Sequence, residues 1–307
     1  MSERENTLDV AVLGRVGIDL YPNQLRTPLR EVRTYTRFVG GFAGNVVTGL
    51  ARLGVTAAIV SRVGPDPHGE YVRDFLSREG VDVRFLAVDP RLMTPPTFCE
   101  VWPPDRFPIT FYRYPTAPDW QLSPGDFDAE EVAGVPFVLA TGTGLAQSPS
   151  RETTLAALEA HRGTTIFDLD WRPTLWERPE EFGEVAGVAA GHADIVIGNE
   201  EEVGAAAGDP AALLGAGVRT LVLKRGERGV LLFDEGREVD VPGHPVEVVN
   251  GLGAGDAFAA AFTHALLHGM PADEAVRRGS VAGAIVASQL ACSEAMPTLA
   301  ELEAALA

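Results

Sequence analysis

Short apolar runs recur along this chain at fairly even intervals, and this recurrence is its strongest structural constraint. LDVAVLGRV (8–16), TAAIVSRV (56–63), PFVLATG (136–142), TTIFDLD (164–170), ADIVIGN (193–199) and RTLVLKRG (219–226) are each bounded by Gly, Pro, Asp or charged residues. Runs so short and so uniformly apolar read as strands buried on both faces. Between them, FAGNVVTGLARLG, DPHGEYVRDFLSREG, SRETTLAALEAH and EEFGEVAGVAA carry helical patterns. Repeated strand–helix units predict an α/β fold, with a mainly parallel sheet covered by helices on both faces. Ligands of such sheets gather where the strands end. A chain of 307 residues with 46% hydrophobic content can fill one core of this kind, so a single domain over residues 1–307 is expected.

Two segments break the rhythm. EVRTYTRF (31–38) alternates β-branched or aromatic residues with charged ones, and TFCEVW (97–102) and ITFYRY (109–114) flank the turn PPDRFP. Alternation predicts half-exposed antiparallel strands, a small accessory sheet or lid drawn from about residues 15–38 and 96–115. Any apolar face left on that sheet would want a partner, and a second copy of the chain could supply one as a homodimer.

Charge narrows the partners. The net charge of −18 is spread along the chain without a dense basic run, which argues against nucleic acid or an anionic membrane. The N-terminal MSERENTLDV lacks the apolar stretch of a signal peptide, so a cytoplasmic location is expected. Cys99 and Cys292 have no metal-ligand spacing and read as reduced, buried thiols.

The chemistry concentrates in NGLGAGDAFAAAF (250–262). Its glycines permit positive φ and close approach of a ligand, and the Ala-rich run supplies a helix whose first-turn N–H groups are free for an anion. Asp256 in that turn is either a helix-start residue favoured by the macrodipole or a general base beside transferred phosphate charge. No Lys-Ser or Lys-Thr follows, so this is not a Walker loop.

GLGAGDAF resembles the C-terminal signature of the pfkB, or ribokinase-like, family of carbohydrate kinases, and VGGFAGNVVTGLARLGVTAAIVSRVG (39–64) resembles its N-terminal signature. The resemblance spans essentially the whole chain. It implies a three-layer ribokinase-like fold with a small β-sheet lid, and ATP-dependent phosphorylation of a sugar. Gly40, Gly41, Asn45, Gly54 and Gly64 fall at family positions, while Val47 stands where a small residue is usual. By the same resemblance Asp256 is the base, and the backbone of Gly253, Ala254 and Gly255 is the anion hole. In NEEE (199–202), Asn199 and Glu202 would organise magnesium, water and ATP phosphates, with Glu202 acting on Mg2+ through water. Taken alone, that tetrad reads first as a helix N-cap with acids in the first turn. LKRGERG (223–229) resembles the nucleotide loop, so Lys224, Gly226 and Gly229 would line the ATP site; an ordinary charged turn is the alternative. Asn250 and residues 288–292 would border adenine. Family members usually carry Asp-Thr where this chain has Asn250-Gly251, and that Asp helps hold a monovalent cation, so the cation is left open here.

At the sugar end, Asp19 is expected just beyond the first buried strand, where a carboxylate can accept two hydroxyl hydrogen bonds or merely cap a turn. Gly40, Gly41 and Asn45 would add backbone and amide contacts. GRVGIDLYP, TGTGLAQSPSRETTLAAL and FDLDWRP with Trp176 narrow the resemblance to a branch that acts on an acid sugar. Its carboxylate would meet Arg15, Arg172 or the lid's Arg113, since a guanidinium pairs bidentately with carboxylates. An ion pair of Arg172 with Asp168 or Asp170 is the alternative. A kinase for another sugar or a nucleoside, or a noncatalytic sensor of sugar or nucleotide, also remains compatible with these residues.

Overall fold

The structure, a computed structural model, describes residues 8–307. Residues 1–7, on which most of the N-terminal reading rests, lie outside the described residues. The strands are β1 Val10–Leu13, β2 Gly17–Pro22, β3 Tyr35–Gly40, β4 Ala57–Val63, β5 Leu86–Val88, β6 Pro96–Cys99, β7 Ile109–Phe111, β8 Phe137–Thr141, β9 Thr164–Asp168, β10 Ile195–Asn199, β11 Thr220–Lys224, β12 Val230–Asp234 and β13 Arg237–Val241. The helices are α1 Phe42–Arg52, α2 Pro67–Arg78, α3 Ala129–Gly134, α4 Ser150–Ala160, α5 Phe182–Gly191, α6 Glu200–Ala207, α7 Pro210–Gly215, α8 Ala254–Leu267, α9 Ala272–Ala287 and α10 Leu299–Leu306.

Nine strands form the central sheet in the order β13-β12-β11-β10-β9-β8-β1-β4-β5. Every pairing from β11 across to β5 is parallel. Successive residues of β1 show why the runs are apolar throughout. Val10 and Val12 pack with residues of α1, α2, α8 and α9, whereas Ala11 and Leu13 pack with residues of α3 to α7. Each face of a strand therefore meets its own helical layer, giving the three expected layers. The β12–β13 hairpin adds two antiparallel strands at one edge, a feature absent from the sequence reading because its alternation is weak and its exposed residues are charged.

Four strands form the lid in the order β3-β2-β6-β7. Two of its pairings are antiparallel as expected, but β2 and β6 run parallel, with Asp19 opposite Thr97. The first apolar run also divides. At Gly14 φ is +153°, and a Cβ there would lie 2.7 Å from the Thr141 methyl, so β1 stops and the chain re-enters as β2 in the lid. Asp19 consequently lies inside a lid strand and not just beyond the first central strand.

Candidate active site

Two adjoining cavities lie where the central strands end beneath the lid. The smaller, about 130 Å³, is walled by eight charged side chains: Arg15, Arg172 and Lys224 against Asp19, Asp168, Asp170, Glu202 and Asp256. The larger, about 670 Å³, is mainly apolar and runs from Gly226 and Gly229 past residues 243–248 to Gly279, Gly283 and Ala287 on α9. Lys224, Gly251 and Gly255 line both. A group passing from one cavity to the other must cross these three residues.

Asp256 sits in the first turn of α8, which starts from Gly253 in left-handed backbone (φ +84°). No other residue fits there easily, because a Cβ on Gly253 would lie 2.9 Å from that of Cys292. The first-turn N–H groups have no intrahelical partner and, with the macrodipole, favour an anion. Asn45 Nδ2 donates to Asp256 Oδ2 at 2.7 Å. Burial pushes the Asp256 carboxyl up to about 7, the negative charge of Asp170 adds to the effect, and the Asn45 bond opposes it. Such a group can take up a proton near neutral pH.

Opposite, the lid's inner face brings Asp19, Tyr21, Thr97 and Cys99 to the same cavity. Burial raises the Asp19 carboxyl to about 6 against the pull of Arg15. Gly40 is needed for space: a Cβ there would lie 2.1 Å from the Asp19 carboxyl carbon. Gly41, at φ +86°, lines the wall directly.

The ends of β9, β10 and β11 carry the remaining charges. Lys224 Nζ pairs with Asp168 Oδ2 at 3.2 Å. Although burial disfavours its charge, Asp168 and Glu202 outweigh that and raise the Lys224 ammonium above its ordinary value. Asn199 caps α6 by accepting from the Glu202 N–H, and Glu202 Oε2 accepts from the Asn199 N–H in return. Glu202 lines the polar cavity, while Asn199 supports it from behind as a cap. Burial raises the Glu202 carboxyl.

Several expected residues are placed differently. Arg113 is buried against Asp119 and over Trp120, with its guanidinium 4.5 Å from that ring, and lines neither cavity. It follows β7 and turns into the core, so it is not a lid arginine facing the cavity. Asn250 is fully buried; its Nδ2 donates to Leu290 O at 2.9 Å and its Oδ1 accepts from Leu252 N at 3.1 Å. It holds the turn and does not border the apolar cavity. Residues 288–292 do not border it either. Cys292 packs with Tyr21, Phe38 and Cys99 beneath the lid, its Sγ 3.7 Å from Asp19 Oδ2. Arg172 does form the ion pair weighed as an alternative, 3.1 Å from Asp170 Oδ1, but on the cavity wall.

Other lining residues escaped the sequence reading. Phe107, in the turn between β6 and β7, reaches the apolar cavity, where its ring stands 3.0 Å from the place a Cβ on Gly251 would occupy. Gly279 and Gly283 open the cavity wall, and their i, i+4 spacing on α9 was the available signal.

Comparison with known proteins agrees with this geometry. The profile of pfkB family carbohydrate kinases matches residues 7–299. The 5-dehydro-2-deoxygluconokinase of Shouchella clausii is 37% identical, over 96% of this chain and 94% of its own length. That of Geobacillus kaustophilus is 33% identical, over 98% and 94% respectively. Among solved structures, fructokinase from Vibrio cholerae with fructose, ADP and calcium bound superposes with a TM-score of 0.87 at 26% identity, covering 99% of this chain and 100% of that one. A Pyrococcus horikoshii sugar kinase in complex with ATP gives 0.83 at 28% identity, covering 95% and 96%.

Proposed function

The chain belongs to the pfkB family of carbohydrate kinases, and from that premise we propose that it transfers the γ-phosphoryl group of ATP to the 6-hydroxyl of 5-dehydro-2-deoxy-D-gluconate. Relatives at 31–37% identity over nearly the whole chain carry the corresponding name, which supports this substrate. The observation that carries the chemistry is Asp256: a carboxylate at a helix N-terminus, oriented by Asn45, with its proton affinity raised to about 7.

ATP takes the apolar cavity, its base among the α9 glycines and residues 243–248 and its phosphates toward Ala254 and Gly255, with Gly253 on the polar side of the crossing. The sugar takes the polar cavity, with hydroxyls on Asp19, Asn45 and the Gly41 backbone and its carboxylate toward Arg15 and Arg172. Asp256 accepts the proton of the hydroxyl that attacks the phosphoryl group, and the first-turn amides of α8 stabilise the charge that develops there. Lys224, at the crossing between the cavities, adds positive charge on the same path. The lid excludes water so that the phosphoryl group passes to sugar.

Among the described residues no group of three or more His, Cys, Asp or Glu could cage a metal ion. Magnesium commonly uses one or two carboxylates with phosphate oxygens and water, and Glu202 beside Asp168 fits that donor set. When bound with ATP it would neutralise phosphate charge.

We also propose a homodimer through the lid. Thr97 and Cys99 face the cavity, so Phe98 between them faces outward. There it contacts Tyr35 and Tyr112, each at 5.3 Å between ring centroids, and Tyr112 is 59% exposed. A sedimentation coefficient of a monomer at micromolar concentration would exclude this assembly. The two buried free thiols fit a reducing, cytoplasmic setting.

A panel of sugars assayed for ADP release tests the substrate. Highest kcat/KM on 5-dehydro-2-deoxygluconate is expected; a preference for fructose or a nucleoside would overturn it, and binding of sugar and ATP without ADP release would mark a sensor.

A further inference from the structure

Asp170 stands just past β9 in left-handed backbone at φ +34°, where its own N–H donates to Asp168 Oδ1 at 3.0 Å. Few residues adopt that conformation, and Asp is among those that tolerate it. Its carboxylate is engaged on every side. Oδ2 accepts from Thr143 Oγ1 at 2.7 Å, Thr141 Oγ1 at 3.1 Å and Arg15 Nη2 at 3.3 Å. Oδ1 pairs with Arg172 Nη2 at 3.1 Å. Burial alone would raise this carboxyl, but Arg172, Arg15 and Thr143 together outweigh it and hold the group well below the usual carboxylate range. One ionised side chain thus anchors both cavity arginines.

Each arginine has another acid within reach. Arg15 shares the polar cavity with Asp19, on which its charge already acts. Arg172 Nη1 lies 3.9 Å from Glu202 Oε1. The Arg15 guanidinium, only 9% exposed, turns to the nearest carboxylate when deprived of its countercharge, because leaving a buried charge unpaired is costly, while the half-buried Arg172 falls back on Glu202, its remaining partner. We infer that Asp170 is a positioning residue: it keeps Arg15 off Asp19 and, pairing at 3.1 Å, holds Arg172 from closing on Glu202 beyond their present 3.9 Å, so that both guanidiniums can meet the carboxylate of an acid substrate while Asp19 stays free for hydroxyls. A guanidinium has five N–H donors, enough for Asp170 and a ligand together. The identity of the ligand rests on the function proposed above, whereas the placement of the arginines does not.

Positioning and bulk charge predict opposite signs. Neutralising Asp170 removes a negative charge from the cavity, which by itself would attract an anionic sugar more strongly; loss of arginine placement weakens its binding. Two variants separate these effects, Asp170→Asn and the electrically silent Thr143→Val, each assayed on acid and neutral sugars and solved as a crystal structure. For Asp170→Asn, KM for the acid sugar should rise roughly tenfold, the loss of about one charge-assisted hydrogen bond. Its kcat and its KM for ATP should change much less, and the crystal should show Arg15 turned to Asp19 or Arg172 turned to Glu202. Thr143→Val keeps every charge and should raise the same KM by only about twofold to threefold, because Asp170 keeps its bonds to Thr141, Arg15 and Arg172. A fall in KM for the acid sugar in Asp170→Asn, or arginines unmoved in its crystal structure, would overturn the inference. If the unaltered enzyme refuses acid sugars, the substrate reading fails by itself, and the crystal structure of Asp170→Asn still decides the role of Asp170.

Discussion

The two cavities share three lining residues and are built in opposite ways. The polar cavity is small, draws on strand ends, helix α8 and the lid, and sets three cations among five carboxyls. The apolar one is larger and relies on glycines and short loops that let a flat ligand approach the backbone. In the first, electrostatics does the work, through raised carboxyls at Asp19 and Asp256 and a depressed one at Asp170. In the second, shape does. Substitutions should therefore act differently: charge changes at Asp19, Asp170 or Asp256 should spare ATP, and steric changes around the apolar cavity should spare sugar.

The largest effect should come from Asp256→Asn. Removing a general base costs about 10²- to 10⁴-fold in turnover. Because a buried carboxylate is replaced by a neutral isostere, the variant should fold at least as stably and keep its affinity for ATP. Calorimetric titration with ATP beside an ADP-release assay checks both halves, and a parallel loss of ATP binding would blur the contrast between the cavities. Next is Gly229→Ala. At φ +77°, with a Cβ that would lie 2.1 Å from Val241 O, alanine must displace the 224–229 loop that lines the apolar cavity. KM for ATP should rise by roughly fivefold to tenfold with KM for sugar unchanged, in line with the cost of alanine at positive φ. Equal effects on both substrates would show that the cavities are one mechanical unit. The smallest effect concerns monovalent cations. Both amide ends of Asn250 are already bonded within the protein and carry no charge, so replacing potassium by tetramethylammonium should alter turnover by less than about twofold. A strong potassium requirement would place a cation site elsewhere in the turn.

What could be read in the sequence follows the same division. The central strands and their helices were legible because burial on both faces leaves a continuous apolar record, as in Val10–Leu13 and Ala57–Val63. Asp256, Asn45, Gly41 and Glu202 were legible through the family signatures they fall in; their local residue types alone fit a cap or a helix start as well. Arg113 was misplaced because nothing local announces its partner: Asp119 lies on a separate turn, and Trp120 covers both. Asn250 and residues 288–292 failed likewise, since their bonds join segments 40 residues apart. The parallel β2–β6 pairing depends on how the lid crosses the core, which alternation does not encode. Asp170 could be seen beside Arg172, but its hold on Arg15, 155 residues away, could not.

The pH dependence of kcat/KM, measured in parallel for the unaltered enzyme and Asp256→Asn, tests the central claim most directly. Asp256 must be ionised to accept a proton, and its carboxyl is raised to about 7, so activity should be full above that pH and fall about tenfold per unit below it. In Asp256→Asn the residual rate should show no such limb. A limb near pH 7 that survives the substitution would assign the base to another group and contradict the account.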